Sequence, residues 1–184
     1  ARLAWFILCG TLPIAICGVF FKRQIEGDLR SLYVISGSLI VLGVLLWLAE
    51  KTAAFRREIA HIGWVDSQLI GLAQALALIP GSSRSGTTMT AAMFLGLTRE
   101  AAARFSFLLG IPAIGAAGLF ELRELLKHGL RGAELSYLFI GVVTSAISGY
   151  LAIDLLLRYL RTRTTYVFVW YRIGLGLFLL ALLA

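Results

Sequence analysis

The chain has 184 residues, of which 59% are hydrophobic and 15% charged, with a mean hydropathy of +0.88 and a formal net charge of +7. Soluble domains run about 45–50% apolar and about 25% charged, so this composition excludes an ordinary soluble domain, and the apolar excess comes in runs long enough to cross a bilayer. The Lys and Arg residues fall mainly in short loops between those runs, without interleaved aromatics on a polar face, which points to anionic headgroups and away from nucleic acid as a partner.

The first apolar run, 3–20, predicts a transmembrane helix kinked at Pro13. Cys9 and Cys17 both lie in it. Eight residues apart on a helix, they are separated by about 12 Å, too far for a disulfide. A polar loop leads to a second span over 32–48. Residues 50–66 bring the charges back, and Lys51, Arg56, Arg57 and Glu58 read as a solvated or headgroup-level segment.

The pattern then changes. The run 68–79, QLIGLAQALALI, is apolar but covers only about 18 Å as a helix, against a hydrocarbon core of about 30 Å. Asp66 or Ser67 is a candidate cap for its start, and Pro80-Gly81 ends it. After the polar PGSSRSG comes a second short apolar stretch, 87–95. Two half-length helices around a polar break predict a re-entrant helix–loop–helix over 67–95. Irregular backbone at membrane depth is tolerated only where it is buried in protein or lines a wet cavity, so the break itself argues for a site.

The remaining elements are full spans. They run over 101–120 with a kink at Pro112, over 138–157, and over 166–184. Gly141, Ser145 and Gly149 form a small-residue stripe suited to close helix packing, and Asp154 and Arg158 form an i,i+4 pair. The expected fold is all-α: one polytopic membrane domain over 1–184, with about five transmembrane helices plus the re-entrant pair. Each of the four main inter-span loops carries three Lys or Arg, so the positive-inside rule returns a tie. The abrupt start inside an apolar run, with no basic segment and cleavage site ahead of it, is not a signal peptide; the expectation is that the chain is truncated at its N-terminus.

The chemistry concentrates in PGSSRSGTT, residues 80–88. Arg84 is a permanent cation between two apolar half-helices, a placement that costs at least about 2.5–3.5 kcal/mol and marks function. Its planar fork suits a phosphate group. Gly81 and Gly86 let the backbone bend and approach a ligand. Ser82, Ser83, Ser85, Thr87 and Thr88 bring hydroxyls, and a second half-helix beginning near Thr87 would aim its free N–H groups into the break. Taken singly, those hydroxyls read as helix caps; together with Arg84 they read as an oxyanion site. Gln74, one and a half turns before the break, either holds the loop or touches the ligand. Arg172, inside the last span, either snorkels to the interface or serves the site. Glu121 and Asp154 read as structural. His61 and His128 sit in loops, and nothing in the pattern makes either a base. No His, Cys and carboxylate cluster has metal-ligand spacing.

The run GLAQALALIPGSSRSGTTMTAAMFLGLTREAAARFSFLLGIPAI, residues 71–114, resembles the second conserved region of the bacterial undecaprenyl-diphosphate phosphatases of the bacitracin-resistance family, and the flanking spans agree in spacing. The resemblance implies two inverted repeats, each with a re-entrant hairpin. It implies removal of the terminal phosphate of undecaprenyl diphosphate, which recycles the lipid carrier for peptidoglycan synthesis and confers bacitracin resistance. By the same resemblance the family's serine, arginine and threonine fall on Ser83, Arg84 and Thr88, the expected catalytic residues, and its glutamine on Gln74; with Gln74, the loop residues Gly81, Ser85 and Gly86 are expected, from their own chemistry, to contact substrate. The site would face the outer side of the plasma membrane, with membrane lipids as surroundings and a homodimer left open. The family's first motif, a Glu-rich helix, a Pro-Ile-Ser-Ser loop and a His, is absent. The ligands of any divalent cation, Mg or Ca, are therefore expected mostly outside this chain, and the 184 residues alone are expected to be inactive.

Among rivals, the acid-phosphatase-like lipid phosphatases require a His where this chain has Thr90. Rhomboid-type proteases require a Gly-x-Ser-Gly that is missing. A polyprenyl-lipid transporter or flippase, which could use the same broken helix, stands as the alternative.

Overall fold

The computed structural model describes residues 2–127 and 132–183, apart from the side chains of residues 26, 28 and 132–134. Among them there is no strand. The elements are α1 (Arg2–Gly10), α2 (Leu12–Phe20), α3 (Lys22–Glu26), α4 (Leu32–Thr52), α5 (Trp64–Ala75), α6 (Arg84–Phe94), α7 (Arg99–Lys127), α8 (Gly132–Thr162) and α9 (Tyr166–Leu183), with short 3-10 turns at Asp28–Arg30, Ile59–His61 and Leu76–Leu78. Five stretches are long and apolar enough to cross a membrane: Arg2–Phe20, Leu32–Thr52, Arg99–Lys127, Leu135–Thr162 and Tyr166–Leu183. The protein is thus an all-α polytopic membrane protein, as its composition requires.

The first span differs from expectation. It breaks at Thr11 rather than kinking at Pro13, and the proline sits in the first turn of α2, where its missing N–H costs nothing. The Thr11 hydroxyl donates to the Ile7 carbonyl at 2.8 Å, alongside the Thr11 amide at 3.1 Å, so both donors of the break residue are spent on the last turn of α1. One other expectation also shifts. α5 starts at Trp64, capped from Gly63, and Asp66 acts three residues in: its carboxylate accepts from the Gly63 amide at 2.8 Å. α7 holds Pro112 inside one continuous helix.

The chain falls into two compact units, Ala1–Ala113 with Thr164–Ala184, and Ile114–Arg163. The larger holds the core. There α4 packs along α9 and against α6, and α5 packs on α1, α2 and α6. Glycines set the closest approaches: a side chain on Gly71 would run into the Gly10 carbonyl, and one on Gly43 would meet Ile173. The smaller unit carries the later part of α7 and α8, with ion pairs Lys127–Glu124 and Arg158–Asp154 on its polar ends. Its apolar side chains, among them Phe120, Phe139, Ile147 and Leu155, are exposed, as lipid-facing residues are. His128 lies outside the described residues.

In the 50–66 segment Lys51, Arg56 and Glu58 are exposed, as expected, while Glu50 and Arg57 are tied into the fold. Glu50 is buried; it accepts from Arg99 Nε at 2.8 Å and from the Thr165 hydroxyl at 2.8 Å, so one carboxylate ties α4 to the starts of α7 and α9. Arg57 bridges to Asp66 at 2.6 Å and donates to the Leu95 carbonyl at 2.9 Å. His61 accepts from the Glu58 amide through Nδ1 at 3.0 Å, a local cap.

Candidate functional site

α5 and the 3-10 turn after it lead to Pro80, and α6 follows from Arg84 and packs against α5, so two short helices flank the break. At 11 residues α6 is about 16 Å long, too short to span. It begins three residues earlier than the sequence implied. Ser83 takes φ +59, a region L residues seldom occupy, and its hydroxyl accepts from the Gly86 amide at 3.3 Å, so the helix is capped at Ser83 and Arg84 becomes its first residue. Strain of this kind persists where surrounding structure holds it and gathers at ligand sites.

That surrounding structure comes from two other helices. Ser38 of α4 donates to the Pro80 carbonyl at 2.6 Å. Gly81, at φ +87, presses on α4 so closely that a Cβ there would stand 2.6 Å from the Ile35 carbonyl oxygen and would overlap Ser38 Oγ. From α9, Arg172 Nη2 donates to the Ser82 carbonyl at 2.7 Å and the Gly81 carbonyl at 3.2 Å, and its Nη1 lies against the bare Cα of Gly86. Arg172 is 6% exposed, so it does not snorkel; it serves the loop. Residues 90 positions apart make this contact, which no local pattern announces.

Arg84 lays its guanidinium over Gly110 of α7, where a side chain would collide with it. The Arg84 side chain donates no hydrogen bond and makes no ion pair among the described residues, and Nη1 is buried without a partner. Arg172 also has no carboxylate partner there, and its Nε is buried and unbonded. Ser82 Oγ and both ends of the Gln74 amide are likewise buried without partners. Buried polar groups are normally satisfied, and unpaired buried charge is costly, so these atoms describe a site made to meet something polar and anionic.

Of the residues singled out from sequence, Ser83, Arg84, Ser85 and Gly86 form the first turn of α6, and Gly81 sits in the loop before it. Ser83 is exposed, and its hydroxyl accepts without spending its own proton. Thr88 differs from expectation. It is fully buried, with Oγ1 2.8 Å from the Arg84 carbonyl and 2.5 Å from Ser106 Oγ of α7. Its one proton is committed inside the protein, so it shapes the turn rather than offering a hydrogen bond to a ligand. Sequence reasoning passed over Ser38 and Ser106. Ser106 is a lone hydroxyl in an apolar stretch of a membrane helix, and Ser38 follows Ser36 in such a stretch; that was the available signal.

Residues 1–178 match the family described as Bacitracin resistance protein BacA. The chain is 57% identical over its whole length to an undecaprenyl-diphosphatase of Myxococcus xanthus, covering 61% of that protein. It is 51% identical to one from Syntrophobacter fumaroxidans, with 96% of this chain and 63% of the relative aligned. It is 53% identical to one from Anaeromyxobacter dehalogenans, with the whole chain and 62% of the relative aligned. The chain thus spans about three-fifths of the length of these curated relatives.

Proposed function

The chain belongs to the BacA bacitracin-resistance family, and from that premise we propose that it supplies the phosphate-gripping part of an undecaprenyl-diphosphate phosphatase. The reaction is hydrolysis of the lipid diphosphate to undecaprenyl phosphate and inorganic phosphate. It recycles the carrier lipid for cell-wall synthesis, at the plasma membrane, with the site opening to the outer side.

One observation carries the reading. Two arginines meet the same broken helix, and neither has a carboxylate partner among the described residues. A diphosphate brings the negative charge that both lack. The Arg84 guanidinium spends no bond within the described residues, which leaves it for the terminal phosphate. The opening amides of α6, at Arg84 and Ser85, have no carbonyl before them in the helix and point the same way. Ser83 keeps its proton for a phosphate oxygen. Arg172 spends Nη2 on the loop carbonyls, so its part is to hold the loop and add positive charge beneath it.

Hydrolysis attacks the terminal phosphorus and breaks its bond to the bridging oxygen. Charge then gathers on the bridging and terminal oxygens, where pre-set donors act with most effect. No carboxylate or imidazole is hydrogen-bonded to the loop among the described residues. We assign activation of the attacking water or serine to the part of the relatives' length that this chain does not cover. The donor set here does not suit a divalent cation: the loop presents guanidinium and N–H groups, and no three His, Cys, Asp or Glu come together among the described residues. No step is routed through a cation, and if the complete protein uses one, its ligands come from elsewhere.

The test is phosphate release from undecaprenyl diphosphate by the full-length protein in detergent. Stoichiometric inorganic phosphate supports the phosphatase. Tight binding of the lipid without phosphate release would instead favour a transporter built on the same broken helix.

A further inference from the structure

We infer that Ser106 of α7 is a positioning residue for the phosphate loop, acting through Thr88; the inference rests on the phosphatase reading of that loop. The case begins with protons. Ser106 is 2% exposed and Thr88 fully buried, and their hydroxyl oxygens are 2.5 Å apart. Each hydroxyl has one hydrogen. The acceptors within reach are the Arg84 carbonyl, 2.8 Å from Thr88, and the Ser85 carbonyl, 3.3 Å from Thr88 and 3.5 Å from Ser106. Distance decides the order. Thr88 donates to the Arg84 carbonyl, and Ser106 donates to Thr88.

The carbonyl so held is that of Arg84, the first residue of α6, which carries the guanidinium assigned to the phosphate. The same peptide plane carries the Ser85 amide, so holding the carbonyl sets where that donor points. The α6 helix starts from a strained residue, Ser83 at φ +59, so its first turn has no relaxed lead-in to keep it in place. α4 and α9 hold the loop before the turn, through Ser38 and Arg172. The Ser106–Thr88 relay holds the turn itself. It also fixes the turn to the segment of α7 on which the Arg84 guanidinium rests, one helical turn further on at Gly110.

A donor misplaced by about 1 Å can lose on the order of a hundredfold in rate. The experiment uses the full-length protein in detergent and reads phosphate release from undecaprenyl diphosphate, about 20 °C below the unfolding midpoint of each variant. Three variants are compared with wild type: Ser106→Ala, Thr88→Val and the double. Ser106→Ala should lower kcat about tenfold or more while KM changes less than about threefold. Thr88→Val should do the same, and the double should be no worse than the poorer single, because one relay is cut at two points. Ser106→Thr, which restores the hydroxyl, should recover most of the loss. A Ser106→Ala enzyme with kcat within twofold of wild type overturns the inference. So does a double variant whose losses multiply. Should Ser106→Ala not fold, Thr88→Val reads the same relay, and wild-type kcat there overturns it equally. Wild-type protein that releases no phosphate fails the phosphatase reading instead, a distinct result.

Discussion

Replacing Gly81 with alanine tests whether the loop is held at one position by contact with α4. The glycine has φ +87, where an L residue costs about 1–2 kcal/mol. Space adds to this. The new Cβ would stand 2.6 Å from the Ile35 carbonyl oxygen, against the 3.4 Å at which ordinary contact begins. The loop must therefore back away from α4 by most of an ångström. That shift also stretches the Ser38 bond to Pro80, now 2.6 Å, and the Arg172 bonds to the two carbonyls that follow. We expect a stability loss of about 1–3 kcal/mol, since relaxation recovers part of the clash. Phosphate release in the full-length protein should fall by on the order of a hundredfold. Adding Ser38→Ala should not rescue it, because the Ile35 carbonyl belongs to the backbone. The measurements are the thermal midpoint in detergent and kcat under saturating lipid. A Gly81→Ala enzyme with wild-type turnover would refute the claim that this contact sets the loop.

Arg172→Lys keeps the charge but cannot keep both carbonyl bonds and the contact at Gly86; kcat/KM should fall about 30-fold or more, consistent with about 1.5–3 kcal/mol for a charged hydrogen bond, as read by steady-state phosphate release. Glu50→Gln should lower stability by about 2 kcal/mol, less than the loss for a fully buried pair because the Arg99 side chain retains 27% exposure. Turnover of the folded fraction should stay near wild type, and thermal unfolding in detergent separates the two effects. The Arg57 hydrogen bond holds the Asp66 carboxyl below its ordinary value of 3.8. A depressed carboxylate contributes stability that is present above its unfolded value and lost as pH falls through the folded one. Unfolding midpoints should therefore drop below about pH 3.8, and Asp66→Asn should flatten that part of the profile.

The two short helices around the break were legible because length is physical. A run of 12 apolar residues cannot cross a hydrocarbon core, and Pro80-Gly81 cannot continue a helix. Arg84 stood out for the same kind of reason, since a charge between two apolar half-helices is costly. The start of α6 was not legible, because it depends on Ser83 entering a conformation that serine avoids, and only packing from α4 and α9 makes it do so. Arg172 could be read two ways from sequence: distance along the chain hides the carbonyls it reaches. Glu50 looked like one more charge at a span end, yet its partners come from the starts of two helices, at Arg99 and Thr165. Thr88 and Ser106 show the converse. The Thr88 hydroxyl, close to the break, invited a ligand role, but the fold had already spent its proton, and its partner Ser106 drew no notice.

The most direct test of the central claim, that the α5–α6 break grips a diphosphate through Arg84, is turnover of Arg84→Lys in the full-length protein, measured as phosphate released from undecaprenyl diphosphate. Lysine keeps the charge and loses the fork. The account predicts loss of most activity in a protein that still folds; turnover near wild type would contradict it.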